Sequence, residues 1–121
     1  RRQEIAETYR KGLSGIVGLK LPHFPATGYT DVFQNYVIQT PRRDELKNHL
    51  EQSSVETMIS WPKPIYTYPT LAPTLDPPAG GLPETEKTCR EVISIPLYPE
   101  LENNEIQYVI DTITAFFAKA S

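Results

Sequence analysis

The chain predicts an α+β fold, and three observations carry that expectation. An uninterrupted run of β-branched and aromatic residues, Val32 to Gln39, leads into an amphipathic stretch, Arg42 to Leu50. A second apolar alternation, Ile93, Ile95 and Leu97 with Ser94 and Pro96 between, lies far along the chain. A last segment sets Ile106, Val109, Ile110, Ile113, Phe116 and Phe117 on one stripe. Strands interleaved with helices of this amphipathic kind pack as layers around a single core. At 121 residues and 39% apolar content the chain suits one globular domain.

Residues 3–14 read as a helix, because Ile5, Tyr9 and Leu13 recur every four residues among Arg, Glu and Lys. Gly12, Gly15 and Gly18 dissolve that pattern, as expected near a helix end. Leu19 to Asp31 contains Pro22, Pro25 and Gly28, which predicts extended loop or an edge strand. Val32 to Gln39 is a strand. Thr40 caps the following helix, with Pro41 at the first position, where a missing N–H costs nothing. Leu46 and Leu50 then face the core, while Arg42, Arg43, Asp44, Glu45, Lys47 and Glu51 face water. Val55 to Ile59 is a second, short strand, so the helix joins a β-α-β element.

From Trp61 to Pro83 the chain holds seven of its twelve prolines together with Gly80-Gly81, and no periodic pattern survives. A loop of this length within a compact domain is either functional or disordered, and residues 68–81 are expected to be poorly ordered in isolation. Leu82-Pro83-Glu84-Thr85-Glu86 reads as a helix start, its acids favoured by the dipole. That helix runs to Val92 and delivers the strand at Ile93–Leu97. The final helix opens near Glu102 and Glu105.

Several chemistries are excluded. His23 and His49 have no second His, Cys or acid at ligand spacing, so no metal site is expected. No G-x-S-x-G elbow appears, and Gly80-Gly81 lacks the preceding strand that a phosphate loop needs. The lone Cys89 fits a reducing, cytoplasmic setting and a buried helix position; nothing nearby marks it as a nucleophile. A net charge of −3 argues against nucleic acid as partner. No apolar run approaches the length that crosses a bilayer, and the charged opening Arg1-Arg2-Gln3-Glu4 is no signal peptide. The carboxylates and the Arg1-Arg2 and Arg42-Arg43 doublets read as solvated helix faces.

What remains is Ser60-Trp61-Pro62-Lys63-Pro64-Ile65-Tyr66 and its neighbours. Pro62 and Pro64 fix φ and remove donors, so the run is a shaped loop that holds Trp61, Lys63 and Tyr66 toward something. Each residue has a plainer reading. Tyr36 suits a site wall or strand core, since alternation alone does not say which face is buried. Trp61 suits a ligand or the core, large aromatics being buried more often than they bind. Lys63 suits an anion or a snorkelling surface position. The Tyr66 hydroxyl can project from the loop as a polar contact while its ring packs.

The order Asn35-Tyr36-Val37-Ile38, Arg43-Asp44-Glu45-Leu46, Val55-Glu56-Thr57 and Trp61-Pro62-Lys63-Pro64 resembles one known family. Leu82-Pro83-Glu84-Thr85-Glu86, Ile95-Pro96-Leu97-Tyr98-Pro99-Glu100-Leu101 and the terminal helix extend the resemblance over nearly the whole chain. It is similar to the C-terminal small domain of the DegT/DnrJ/EryC1/StrS aminotransferases. The resemblance implies a fold type I, aspartate-aminotransferase-like small domain, an α/β sandwich whose mostly antiparallel sheet of about three strands is covered by helices. Residues 1–18 would be the helix entering from a large domain and residues 19–121 the small domain, with its Pro-rich loop at 61–83. The family's activity implies transfer of an amino group, usually from glutamate, to a nucleotide-linked keto sugar by a homodimer using pyridoxal phosphate.

The cofactor lysine, its acid partner and the phosphate loop all belong to the large domain in this family. No catalytic residue and no cofactor are therefore expected in this piece alone, and Lys63 is not that lysine. The absence of an initial methionine agrees with a fragment. Carried over by position, the substrate-facing residues are Tyr36, Ser60, Trp61, Lys63 and Tyr66, with Asn35 toward the cofactor. Ser60 and Tyr66 stand where many members carry histidine, and a phenol cannot carry protons near neutral pH as imidazole does. A free-standing α+β interaction module is the alternative from a different functional class.

Overall fold

The computed structural model describes residues 1–77 and 79–119. Its elements are α1 (Arg2–Leu13), β1 (Tyr36–Gln39), α2 (Arg43–Gln52), α3 (Pro83–Glu91), β2 (Val92–Ile95) and α4 (Asn103–Ala118). Short 3-10 turns at Ile65–Thr67 and Ala72–Thr74 punctuate the long loop. The α+β expectation holds.

β1 and β2 pair antiparallel, with Tyr36 opposite Ile95 and Gln39 opposite Val92. Each then carries one further row reduced to a single bridge: Lys20 beside Gln39 on one side, Met58 beside Ser94 on the other. The expected strand at Val55–Ile59 is therefore one residue of pairing, and the sheet has two strands where about three were expected. The β-α-β element survives in split form. β1 and the Met58 segment both run antiparallel to β2, which lies between them.

β1 is shorter than the sequence predicts because Val32–Asn35 turns away from the ladder. Phe33 sits at φ +47°, and its N–H donates to Asp31 Oδ1 at 2.8 Å. The Arg2 guanidinium takes the carbonyls of Phe33 (3.2 Å), Gln34 (2.9 Å) and Leu97 (3.0 Å). Those acceptors bind a side chain of α1 in place of a neighbouring strand, so the segment cannot continue the sheet. β2 likewise ends at Ile95, before Pro96 and Leu97, since Pro96 has no donor to extend the ladder.

Helices cover one face of the sheet. Ile5, Ala6, Tyr9 and Leu13 of α1, Leu46 and Leu50 of α2, and the α4 stripe from Ile106 to Phe116 close over Tyr36, Ile38, Ile93 and Ile95. Gly12 lies inside α1 and not past its end, because α4 crosses directly over it: a Cβ there would meet Ile110 Cδ1 at 2.7 Å. Arg43 is buried, a correction to its expected place on a solvated face. Its guanidinium donates to the carbonyls of Cys89 and Val92, both at 3.3 Å, and so satisfies acceptors at the end of α3. His49 is half-buried; its Nε2 donates to the Thr112 carbonyl at 3.2 Å and its ring packs beside Phe116.

Candidate functional site

The uncovered face of the sheet is where candidate residues gather. Alternation along β1 buries Tyr36 and Ile38 and leaves Val37 outward. Beside it lie Met58, half exposed, and Trp61, 62% exposed. Together with Asn35, Ser60 and Ser94 they line a concavity of about 220 Å³. A larger one, about 770 Å³, continues from it between the 54–58 segment and α4. Its lining includes Glu56, Tyr98, Asn104, Glu105 and Tyr108, and it shares Asn35, Met58 and Ser94 with the smaller.

Of the residues singled out in the sequence, Asn35, Ser60 and Trp61 therefore meet on one surface. Tyr36 does not join them. It is fully buried, its ring 5.1 Å from that of Tyr9 and 6.3 Å from that of Phe33, and burial pushes its phenol up to about 12. Its hydroxyl makes no hydrogen bond among the described residues, whereas Tyr9 donates to the Pro96 carbonyl at 2.8 Å. Lys63 stands exposed with Nζ 4.5 Å above the Tyr68 ring, a cation–π contact within the loop.

Tyr66 is tied inside the chain. Its hydroxyl donates to Glu86 Oε1 at 2.7 Å, and the same oxygen accepts from the Leu82 N–H at 3.3 Å. Partial burial and this hydrogen bond raise the phenol above its usual range. Gly81, at φ +77°, brings backbone against Glu86, where any side chain would collide. The two ends of the Pro-rich loop are thus clasped at the first turn of α3.

Sequence reasoning missed Val37, Met58 and Glu86. Val37 was legible from strand alternation once one face was known to be covered. Met58 and Glu86 gave no signal, being an isolated methionine and one of several acids near a helix start.

Residues 1–114 match the profile of the DegT/DnrJ/EryC1/StrS aminotransferase family. The chain belongs to that family. A pleiotropic regulatory protein of Geobacillus stearothermophilus is 37% identical over 117 residues, covering 96% of this chain and 31% of the relative. The dTDP-3-amino-3,4,6-trideoxy-alpha-D-glucose transaminase of Streptomyces venezuelae is 36% identical over 93% of this chain and 29% of its own. Among solved structures, S. venezuelae DesV in complex with a ketimine intermediate aligns with a TM-score of 0.88 at 35% identity, over 97% of this chain and 31% of that one. A family member from Brucella abortus aligns with a TM-score of 0.85 at 27% identity, over 96% and 30%. The chain spans about 30% of the length of these family members.

DegT/DnrJ/EryC1/StrS enzymes are pyridoxal-phosphate-dependent, and the two concavities can be tested against that group. Neither is lined by a lysine or arginine, and the larger carries two carboxylates, Glu56 and Glu105. A phosphate needs cations or a cradle of backbone N–H groups. The residues of this chain do not by themselves fit the cofactor; what they offer is a surface with an amide, a hydroxyl and an indole. Among the described residues no cluster of metal-ligating side chains occurs, and no helix is long and apolar enough to cross a membrane.

Proposed function

We propose that this chain is the C-terminal small domain of a pyridoxal-phosphate-dependent aminotransferase that moves an amino group from glutamate to a nucleotide-linked keto sugar. The observation that carries the reading is the family match over residues 1–114, supported by relatives named as sugar transaminases. In this reading residues 1–18 lead in from the large domain and residues 19–121 form the small one. The uncovered sheet face turns toward the sugar-nucleotide, with Asn35, Ser60 and Trp61 as its wall and Lys63 and Tyr66 on the loop beside it. The parent is a cytoplasmic homodimer, and the reacting lysine lies outside this chain.

Two measurements test this. The parent polypeptide, loaded with cofactor and given glutamate, is expected to aminate a dTDP- or UDP-linked keto sugar. The isolated chain, mixed with pyridoxal phosphate, is expected to leave the absorbance of the free cofactor unshifted. A stoichiometric shift in the isolated chain would overturn the division of roles, and a parent inert toward every nucleotide-linked keto sugar would overturn the activity.

A further inference from the structure

We infer that Glu86 is a positioning residue: it commits the Tyr66 proton, so that Tyr66 meets its ligand only as a hydrogen-bond acceptor. The inference rests on the reading above, in which the loop 60–66 faces the sugar-nucleotide.

An ionised carboxylate accepts and does not donate. At 2.7 Å from Glu86 Oε1, the Tyr66 hydroxyl must therefore be the donor, and its only proton is spent within the protein. Its lone pairs remain. The carboxylate is itself held in place by the Leu82 N–H and by the first turn of α3, where negative charge is favoured. From the other side the tyrosine is fixed by a 3-10 turn, with the Thr67 N–H and hydroxyl both donating to the Pro64 carbonyl, at 3.0 and 2.6 Å. Gly81 closes the arrangement, since a side chain there would displace Glu86. The raised phenol pKa agrees, since it keeps the proton on Tyr66 throughout the neutral range.

The chemistry of the contact follows. A carbonyl oxygen carries no proton, so Tyr66 cannot hydrogen-bond the keto group of a sugar. It selects a hydroxyl or amino substituent, and a ligand lacking that donor leaves the phenol oxygen unpaired. Substituting Glu86→Gln keeps an acceptor for the Leu82 N–H but lets the amide NH₂ face the phenol oxygen. The phenol proton is then released toward the ligand, and the preference is lost.

The experiment uses the full-length enzyme, with KM measured separately for the keto sugar and for glutamate in wild type, Tyr66→Phe, Glu86→Gln and the double variant. Each single variant is expected to raise the keto-sugar KM about five-fold, the worth of one oriented hydrogen bond. The double is expected to raise it no further than the larger single, with the glutamate KM unmoved in all three. A general loosening of the domain would move both constants, so equal shifts in both overturn the inference. So does a keto-sugar KM that is unchanged in Glu86→Gln or in Tyr66→Phe while the enzyme stays active. Absence of any keto-sugar amination in the wild type strikes the functional reading instead.

Discussion

Tyr36 shows how burial decides between two uses of one side chain. The hydroxyl is enclosed without a partner, and a buried polar group left unpaired costs about 1–3 kcal/mol. Tyr36→Phe is therefore expected to stabilise the chain by about 1 kcal/mol in a urea titration. It is also expected to leave the keto-sugar KM of the parent unchanged; a raised KM would place Tyr36 at the site after all. A pH dependence accompanies it. Tyr9 and Tyr36 both have phenols raised by burial above the ordinary value of 10, Tyr36 to about 12. Because only the unfolded chain gains by ionising them first, their contribution to stability is complete below pH 10 and drains away as pH rises through 12. Two phenols should therefore ionise only with unfolding when phenolate absorbance and circular dichroism are followed together, and one in Tyr36→Phe.

Among the elements, α1 and α4 owe their close crossing to Gly12. Alanine there gains helix propensity of about 1 kcal/mol but forces a methyl group into Ile110, whose Cγ2 and Cδ1 would stand 2.9 and 2.7 Å away. Overpacking of this kind costs about 1–3 kcal/mol. Gly12→Ala is expected to lower the urea midpoint by a net cost on the order of 1 kcal/mol; a raised midpoint would show that α4 yields freely. The same crossing explains why glycine spacing was misleading: the residue that reads as a helix terminator is a contact point. Arg2 makes the matching case for β1. An arginine in an exposed-looking helix turn removes three carbonyls from sheet pairing, and no local pattern at Val32–Asn35 announces it.

For the molecule as a whole, the asymmetry of the sheet matters most. One face is sealed by α1, α2 and α4; the other leaves Val37, Met58 and Trp61 uncovered. A tryptophan 62% exposed contributes little to the stability of the domain that carries it. Trp61→Ala is expected to shift the unfolding free energy of the isolated chain by less than about 0.5 kcal/mol. In the parent it is expected to raise the keto-sugar KM about ten-fold, the order of one lost aromatic contact. A large loss of stability in the isolated chain would return Trp61 to the core.

The α4 stripe, the α2 pair Leu46 and Leu50, and the α3 start at Leu82-Pro83 could all be read without coordinates, because each depends on spacing or on a local backbone rule. So could the membership of the chain in its family, which rests on the order of short motifs. Contacts between distant segments could not be read this way. Arg43 reaches the end of α3, Arg2 the turn at Phe33, and Tyr66 the carboxylate of Glu86, each across twenty or more residues. Nothing within a few positions of either partner encodes such a meeting. Periodicity says that a residue has an inner and an outer face, and only the packed chain says what stands opposite.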